Sequence, residues 1–308
     1  MENGLRARLG VLSKGWNLTW AWDDRNGSDT TGGALSVVRH DATQACDLLV
    51  SVVVFKPDRH QLQRTLQTLG ESVRRAGLSA LLVIVDNTPA GTPWLEEVLP
   101  VSRIDQPRIM SGHGNVGFGR GHNMTIGLVR ASYHLVLNPD VEFEPLALRN
   151  AMAFMGNQPD CALVVPEVVS PAGEREHLCR RYPSVLVLAL RGFAPGWVNR
   201  RFTRLLAAYE MRDAPDGILW DPPVAGGCCM LFRADALQAL MGFDERFFLY
   251  FEDFDLSIRT RRLGRVARVP SVRILHHGGG AARKGHVHVR AFVRSAFAFF
   301  SLHGWRWV

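Results

Sequence analysis

The chain has 308 residues, 47% hydrophobic and 21% charged, with a formal net charge of +7. This composition excludes a disordered chain, a collagen and a disulfide-stapled miniprotein, and leaves one large or two small globular domains. No run approaches the roughly 18–20 apolar residues of a membrane-spanning helix. Met1 to Leu12 sets Arg6 and Arg8 among short apolar pieces where a secretory signal would be continuous, so a cytoplasmic location is expected. The five cysteines, Cys46, Cys161, Cys179, Cys228 and Cys229, form no CxxC pair and read as small buried residues. The charge is uneven. From Leu256 to Val308 there are eleven Lys+Arg, five His and no acid, leaving 25 of the 36 basic residues against all 29 acids in the remainder. An acidic body thus ends in a basic segment suited to an anionic partner or to solvent.

Residues 1–46 show no sustained period and read as an irregular extension, in which Trp16, Trp20 and Trp22 call for packing against a domain. Leu48 to Phe55 is a continuous apolar run with Val at four of eight positions, as in a strand buried on both faces. Asp58 is placed to cap a helix with Leu62, Leu66, Leu69 and Val73 on one side, and Leu81 to Val85 makes a second buried strand. Strand, helix, strand at this spacing is a right-handed βαβ unit, whose ligands bind beyond the carboxyl ends of the strands, where Lys56 and Asp86 stand.

A glycine-rich segment from Gly112 to Gly121 leads into a helix expected over Asn123 to Arg130. A third buried strand, Tyr133 to Leu137, ends in Asn138-Pro139-Asp140. Further strands are expected at Cys161 to Val165, Cys228 to Phe232 and Val272 to Leu275. A basic, apolar helical stretch covers Val185 to Tyr209, and a helix starts near Glu252. The fold class is α/β with a mostly parallel sheet: an extension over 1–46, a single domain over 47–285, and a basic, aromatic C-terminal helix over 286–308.

Three places could carry chemistry. Proline after Asn138 stops the ladder and turns Asp140 outward, where one carboxylate suffices for a divalent cation whose other positions are filled by phosphate oxygens and water. Glu252, Asp253 and Asp255 lie among Phe247, Phe248, Tyr250, Phe251 and Phe254. Burial there raises a carboxyl pKa toward the range of a general base. His276-His277-Gly278-Gly279-Gly280 ends the last strand and precedes Arg283 and Lys284, offering an imidazole to a metal and basic groups to a diphosphate. Gly112 to Gly117 also matches G-x-G-x-x-G with Asp140 further on, the pattern of a dinucleotide-binding oxidoreductase, but the preceding Gln106 to Met110 is too short and polar for the buried strand such a site needs. A nucleic-acid-binding module would explain the basic end and leave the acids without a role.

In order along the chain, Lys56-Pro57-Asp58, Val85-Asp86-Asn87, Asn115-x-Gly117-Phe118-Gly119-x-Gly121-x-Asn123, Leu137-Asn138-Pro139-Asp140, Gly242-Phe243-Asp244-Glu245 through Glu252-Asp253-x-Asp255, and the histidine-glycine run resemble the inverting family 2 glycosyltransferases of GT-A fold, in particular the bacterial rhamnosyltransferase-like group. The resemblance implies a nucleotide-sugar half followed by an acceptor half. It implies nucleotide-sugar contacts at Lys56, Asp86, Asn115, Gly117, Asn123, Asn138, Arg283 and Lys284, and a divalent metal (Mg or Mn) at Asp140 and at His276 or His277, with His276 preferred. Asp253 is implied as catalytic base, with Glu252, Asp255 and Tyr250 at the acceptor. One departure stands at the first strand, where Phe55-Lys56 replaces the family's Tyr-Asn. The implied donor is dTDP-rhamnose and the acceptor a saccharide or lipid-linked saccharide of cell-surface polysaccharide or lipopolysaccharide synthesis. No nucleic acid is expected. The aromatic, arginine-bearing C-terminus suits an anionic membrane surface, giving a cytoplasmic protein peripheral on the inner face of the cytoplasmic membrane.

Overall fold

Apolar, valine-rich runs can be covered on both faces, and they form strands of one large sheet in the computed structural model, which describes residues 45–278 and 286–308. Strand β1 (Ala45–Val54) is buried from Leu48 onward. Helix α1 (Arg59–Ala76) follows. Asp58 Oδ1 accepts the Gln61 N–H at 2.8 Å to cap its start, and Gly77 in the left-handed region closes its end. Leu62, Leu66, Leu69 and Val73 form its buried stripe, and β2 (Ala80–Asp86) returns parallel to β1. The short helix α2 (Leu95–Val98) precedes the edge strand β3 (Arg108–Met110).

Helix α3 (Phe118–Asn123) lies earlier than the sequence led us to expect. Gly117, at φ 92°, releases the chain directly into it, and Asn123 is its last residue. Strand β4 (Arg130–Leu137) then pairs parallel with β1 on the side away from β2. Next come β5 (Val141–Phe143), α4 (Ala147–Asn157), β6 (Cys161–Val169), and the short strands β7 (Arg175–Glu176) and β8 (Cys179–Arg180). The helical stretch expected over Val185–Tyr209 is broken into α5 (Val185–Phe193), α6 (Gly196–Arg201) and α7 (Thr203–Tyr209), the first break falling at Pro195, which lacks a backbone N–H.

The chain continues through β9 (Leu219–Trp220), β10 (Val224–Ala225), β11 (Cys229–Arg233), α8 (Ala234–Ala239), α9 (Glu252–Thr260), β12 (Arg265–His276) and α10 (His286–His303). β12 is longer than the strand expected at Val272–Leu275, and its pairing with β6 shifts register between Val269 and Arg273, around Pro270. The sheet order is β3-β2-β1-β4-β11-β6-β12-β5. The βαβ half is all parallel, whereas β11 runs antiparallel between β4 and β6, so the carboxyl ends of β1, β2, β4 and β12 meet the residues that enter β11.

Two internal devices hold this arrangement. The Ser51 hydroxyl in the centre of β1 lies 2.7 Å from His122 Nδ1 and 2.9 Å from His134 Nε2. Burial pushes His134 down to about 3 and His122 well below the ordinary histidine value, so both are neutral. Asn123 clamps the Gly242-Phe243 turn, donating to the Phe243 carbonyl at 2.9 Å and accepting the Phe243 N–H at 2.8 Å.

The buried histidines carry a signed pH dependence. The unfolded chain takes up two protons near pH 6.5 that the folded chain refuses, so stability falls as pH drops below that value. The expected loss is up to about 1.4 kcal/mol per pH unit for each histidine between pH 6.5 and 5. Urea unfolding of the chain and of His134→Gln across that window isolates this contribution: the stability of the chain relative to the variant should fall toward acid, and a relative stability that rises toward acid would contradict the assignment.

Candidate active site

The strand ends deliver the first polar groups. Asp86, at the end of β2, is 1% exposed, and its Oδ1 accepts the Thr88 N–H at 2.9 Å. Beside it Asn87 Nδ2 donates to the Gly117 carbonyl at 2.9 Å, and Asn87 Oδ1 lies 3.0 Å from His113 Nε2. Partial burial lowers the His113 pKa, against the pull of the Asp86 charge. Asn115 Oδ1 accepts the Gly117 N–H at 3.1 Å, so this asparagine shapes the loop on which Gly117 sits. Lys56, at φ 49°, is exposed at the end of β1 and its backbone N–H donates to Thr88 Oγ1 at 2.9 Å. Asn123, assigned to the nucleotide sugar by resemblance, spends its amide on the Phe243 backbone and acts as a clamp. The dinucleotide alternative fails on the fold. β3 before Gly112 is a three-residue edge strand, and the helix after the glycines starts only at Phe118.

A second corner forms where β4 and β12 end. His276 Nε2 lies 3.5 Å from Asp140 Oδ1, and its Nδ1 lies 3.0 Å from Glu176 Oε2 on β7. Burial lowers the His276 pKa but the two carboxylates outweigh it, and the net shift is upward. His277 turns away, with Nε2 2.8 Å from Glu142 Oε1, a carboxylate also held by Arg64 at 2.7 Å. Gly278 closes this corner so tightly that a Cβ there would meet His276 Nε2 at 2.5 Å and Asp140 Oδ2 at 2.7 Å. Asn138 Oδ1 is buried with no hydrogen-bond partner, and the Asn138 N–H donates to the Cys228 carbonyl at 2.9 Å.

Among the described residues no three His, Cys, Asp or Glu side chains converge in metal-holding geometry. Asp140 and Glu176 address opposite nitrogens of His276 and cannot share one ion. Two protein donors still fit a hard divalent cation that also takes phosphate oxygens and water. The Glu176–His276 pair has the form of a metal-ligating histidine oriented through its other nitrogen by a carboxylate. Glu176 gave no signal in the sequence beyond being one acid in a polar turn.

The third corner is the start of α9. Tyr250 and Phe251 both adopt positive φ, 72° and 67°, a costly conformation for large side chains. Glu252 is buried and its Oε2 has no hydrogen-bond partner. Burial pushes its pKa well up, and the neighbouring Asp253 charge adds to the shift. Asp253 is less enclosed, and burial raises its pKa as well. Four features act in the opposite direction: the Phe254 N–H, 2.8 Å from Oδ1, the positive charge of Arg180, the Gly227 N–H and the residue's own N–H. Of the two carboxyls Glu252 therefore holds its proton more firmly, and Asp253 is the one that ionises. Gly227 comes so close that a Cβ there would lie 2.6 Å from Asp253 Cβ. Arg180 sits over the rings of Phe254 and Tyr209 at 5.8 and 5.9 Å.

Two acceptor assignments are corrected. Asp255 is buried, with Oδ2 2.7 Å from Arg259 Nε and Oδ1 2.9 Å from His303 Nε2, so both its oxygens are taken by internal partners and it acts as a latch. The Tyr250 hydroxyl is 2.9 Å from His288 Nδ1 and ties the turn to α10. Arg283 and Lys284 lie outside the described residues. The corners meet at Gly227-Cys228, where Gly227 packs on Asp253 and the Cys228 carbonyl takes the Asn138 N–H; burial, then Cys229 and the charges of Asp140, Glu176 and Asp253, push the Cys228 thiol up. The Phe118 N–H also donates to the Phe248 carbonyl at 3.0 Å, joining the glycine-rich loop to the aromatic turn. Sequence reasoning missed Arg180 and Gly227. The glycine pair Gly226-Gly227 before a buried strand was the available sign.

Comparison with known proteins places this geometry. No family model matches the chain. It is 27% identical over 268 residues to an N-acetylglucosaminyl-diphospho-decaprenol L-rhamnosyltransferase of Mycobacterium tuberculosis, covering 82% of this chain and 84% of the relative. Its fold matches that of GalNAc-T7, solved with UDP, GalNAc and Mn2+, at a TM-score of 0.55 and 13% identity, over 76% of this chain and 44% of that one. The chain is a glycosyltransferase of GT-A fold. The S. aureus TarS structure with UDP-GlcNAc matches this transferase at a TM-score of 0.52 and 13% identity, over 78% of this chain and 61% of that one. The transferase thus spans less than two thirds of either solved neighbour's length.

If Glu176 orients His276, Glu176→Gln should weaken Mn2+ binding, measured calorimetrically with a nucleoside diphosphate present, by about 10–100-fold while the fold is kept. Unchanged Mn2+ affinity would remove the pairing from the metal corner.

Proposed function

We propose that this transferase moves L-rhamnose from dTDP-rhamnose to a lipid-linked saccharide acceptor in cell-surface polysaccharide or lipopolysaccharide synthesis, by one inverting displacement, working peripherally at the inner face of the cytoplasmic membrane. The observation that carries the reading is Asp253. It is a partly exposed carboxylate with a raised pKa, set by a strained turn beside a second, deeply buried acid, on the same Cys228-lined wall as Asp140. The rhamnose and lipid-linked assignments draw on the name of the Mycobacterium tuberculosis relative.

In this mechanism Asp253 accepts the proton of the acceptor hydroxyl as that oxygen bonds to the anomeric carbon. The bond from that carbon to the diphosphate oxygen breaks on the opposite face, and the nucleoside diphosphate leaves with the electron pair. Asp86 and Lys56 stand at the strand ends to hold the nucleotide, and Gly117 and Asn115 shape the loop beside them. A divalent ion held by Asp140 and His276 supplies charge neutralisation at the diphosphate when bound. Asn138 Oδ1, just past the end of β4, is a buried acceptor with no partner. Glu252, kept neutral, lets Asp253 hold the only negative charge of the pair, and Arg180 keeps that charge available at working pH.

Asp253→Asn should lower kcat by about 10²–10⁴-fold with donor affinity nearly unchanged. Near-wild-type turnover would remove the base. The pH profile gives a second test. Activity should fall toward acid through an apparent pKa above the ordinary aspartate value of 3.8. Arg180→Gln removes the favourable charge, so this acid limb should move to higher pH, whereas a merely structural Arg180 would lower activity without moving the limb.

A further inference from the structure

Helix α10 is two-sided, and its sides have different tasks. His288, Phe292, Ser295, Phe299 and His303 recur at intervals of three and four residues and face the domain. Each touches the turn or helix that bears Asp253. His288 meets the Tyr250 hydroxyl at 2.9 Å, the Ser295 hydroxyl donates to the Leu249 carbonyl at 2.8 Å, and His303 meets Asp255 at 2.9 Å. Phe292 and Phe299 pack on Phe251 with ring centroids 5.2 and 5.3 Å apart.

The opposite stripe is Val289, Arg290, Val293, Arg294 and Phe297, all exposed, with Phe297 at 62%. Phe297 stacks edge-on against Trp305 at 5.4 Å, and Trp305 stacks on Trp307, itself 67% exposed. Residues 286–308 contain three arginines and no acid. The adjoining segment is built alike. The Val185 and Leu186 N–H groups donate to the carbonyls of Arg306 and Trp307, and from there to Tyr209 the chain carries Trp197, 73% exposed, with Arg200, Arg201 and Arg204 and again no acid. Among the described residues no helix is long and apolar enough to cross a membrane. Exposed tryptophan and phenylalanine beside unopposed arginine match an anionic headgroup layer, into which aromatic rings insert while guanidinium groups pair with phosphates.

We propose that the outer face of α10 and the Trp305–Trp307 end form a docking surface for an anionic lipid bilayer, and that the inner face of the same helix fixes the Asp253 turn at a set height above that surface. The docking stands on this surface alone. Its use, presenting a lipid-linked hydroxyl to Asp253, rests on the function proposed above.

The test is sedimentation of the full chain with phosphatidylcholine vesicles, with and without phosphatidylglycerol. Binding should require phosphatidylglycerol and weaken with salt. Arg290→Ala/Arg294→Ala and, separately, Phe297→Ser/Trp307→Ser should each weaken it by about tenfold or more, with far-UV circular dichroism and turnover of a water-soluble acceptor retained. Equal affinity for both vesicle types, no binding to either, or binding indifferent to both variants would overturn the proposal. So would loss of chain self-association, in place of vesicle binding, in those variants. Vesicle docking without sugar transfer would leave this surface standing and defeat the proposed function. Transfer without docking would do the reverse.

Discussion

A carboxylate is a stronger base near neutral pH when it is partly withdrawn from water and still able to ionise, and the start of α9 is organised around that conflict. Two adjacent acids are forced together at the start of α9 by a turn with two large residues at positive φ. Burial raises both pKa values, and the imbalance in partners decides which one ionises. Asp253 has three backbone N–H groups and a guanidinium charge, while Glu252 Oε2 has no partner. The strain and the buried proton cost stability, and the surrounding aromatic cluster of Phe247, Phe251, Phe254, Phe299 and Phe300 offsets it. Asp255, bridging Arg259 and His303, fastens the same turn to α10. The densest acidic cluster of the chain thus divides into one ionisable carboxylate, one neutral neighbour and one latch.

The other half of the site follows from sheet topology. The parallel strands β1, β2 and β4 end on one edge, and β12 brings His276 to it from the far half of the sheet. The entry to β11 crosses between them, so Cys228 and Gly227 stand between the Asp140 corner and Asp253. Close approach is what the glycines supply at both corners. A side chain at Gly278 would fill the space between His276 and Asp140, and one at Gly227 would displace Asp253. Neither corner could be assembled from side-chain identity alone.

That also marks how far the sequence could be read. Uninterrupted valine runs and the Asp58 cap identify β1, α1 and β2 because burial on both faces and capping are local properties. Asp140 at a strand end and Asp253 among aromatics were legible for the same reason. Glu176, Arg180 and Gly227 were not, since their roles come from pairings across the fold: Glu176 reaches a residue one hundred positions away. The internal partners of Asp255 were not legible because a carboxylate at a helix start looks alike whether it faces a ligand or a half-buried arginine. Helix α3 was placed too late because a glycine at positive φ can start a helix as well as end a loop. The outer stripe of α10 was visible as aromatic and basic composition, but only packing separates it from the inner one.

The proposed reaction is a single displacement in which Asp253 is the base and forms no bond to the sugar. The measurement that addresses it most directly is the anomeric configuration of the product, determined by NMR coupling constants on a transfer reaction quenched early. A single displacement gives inversion relative to the nucleotide-sugar donor. Retention of configuration would require a second displacement or a different face of attack, and would contradict it.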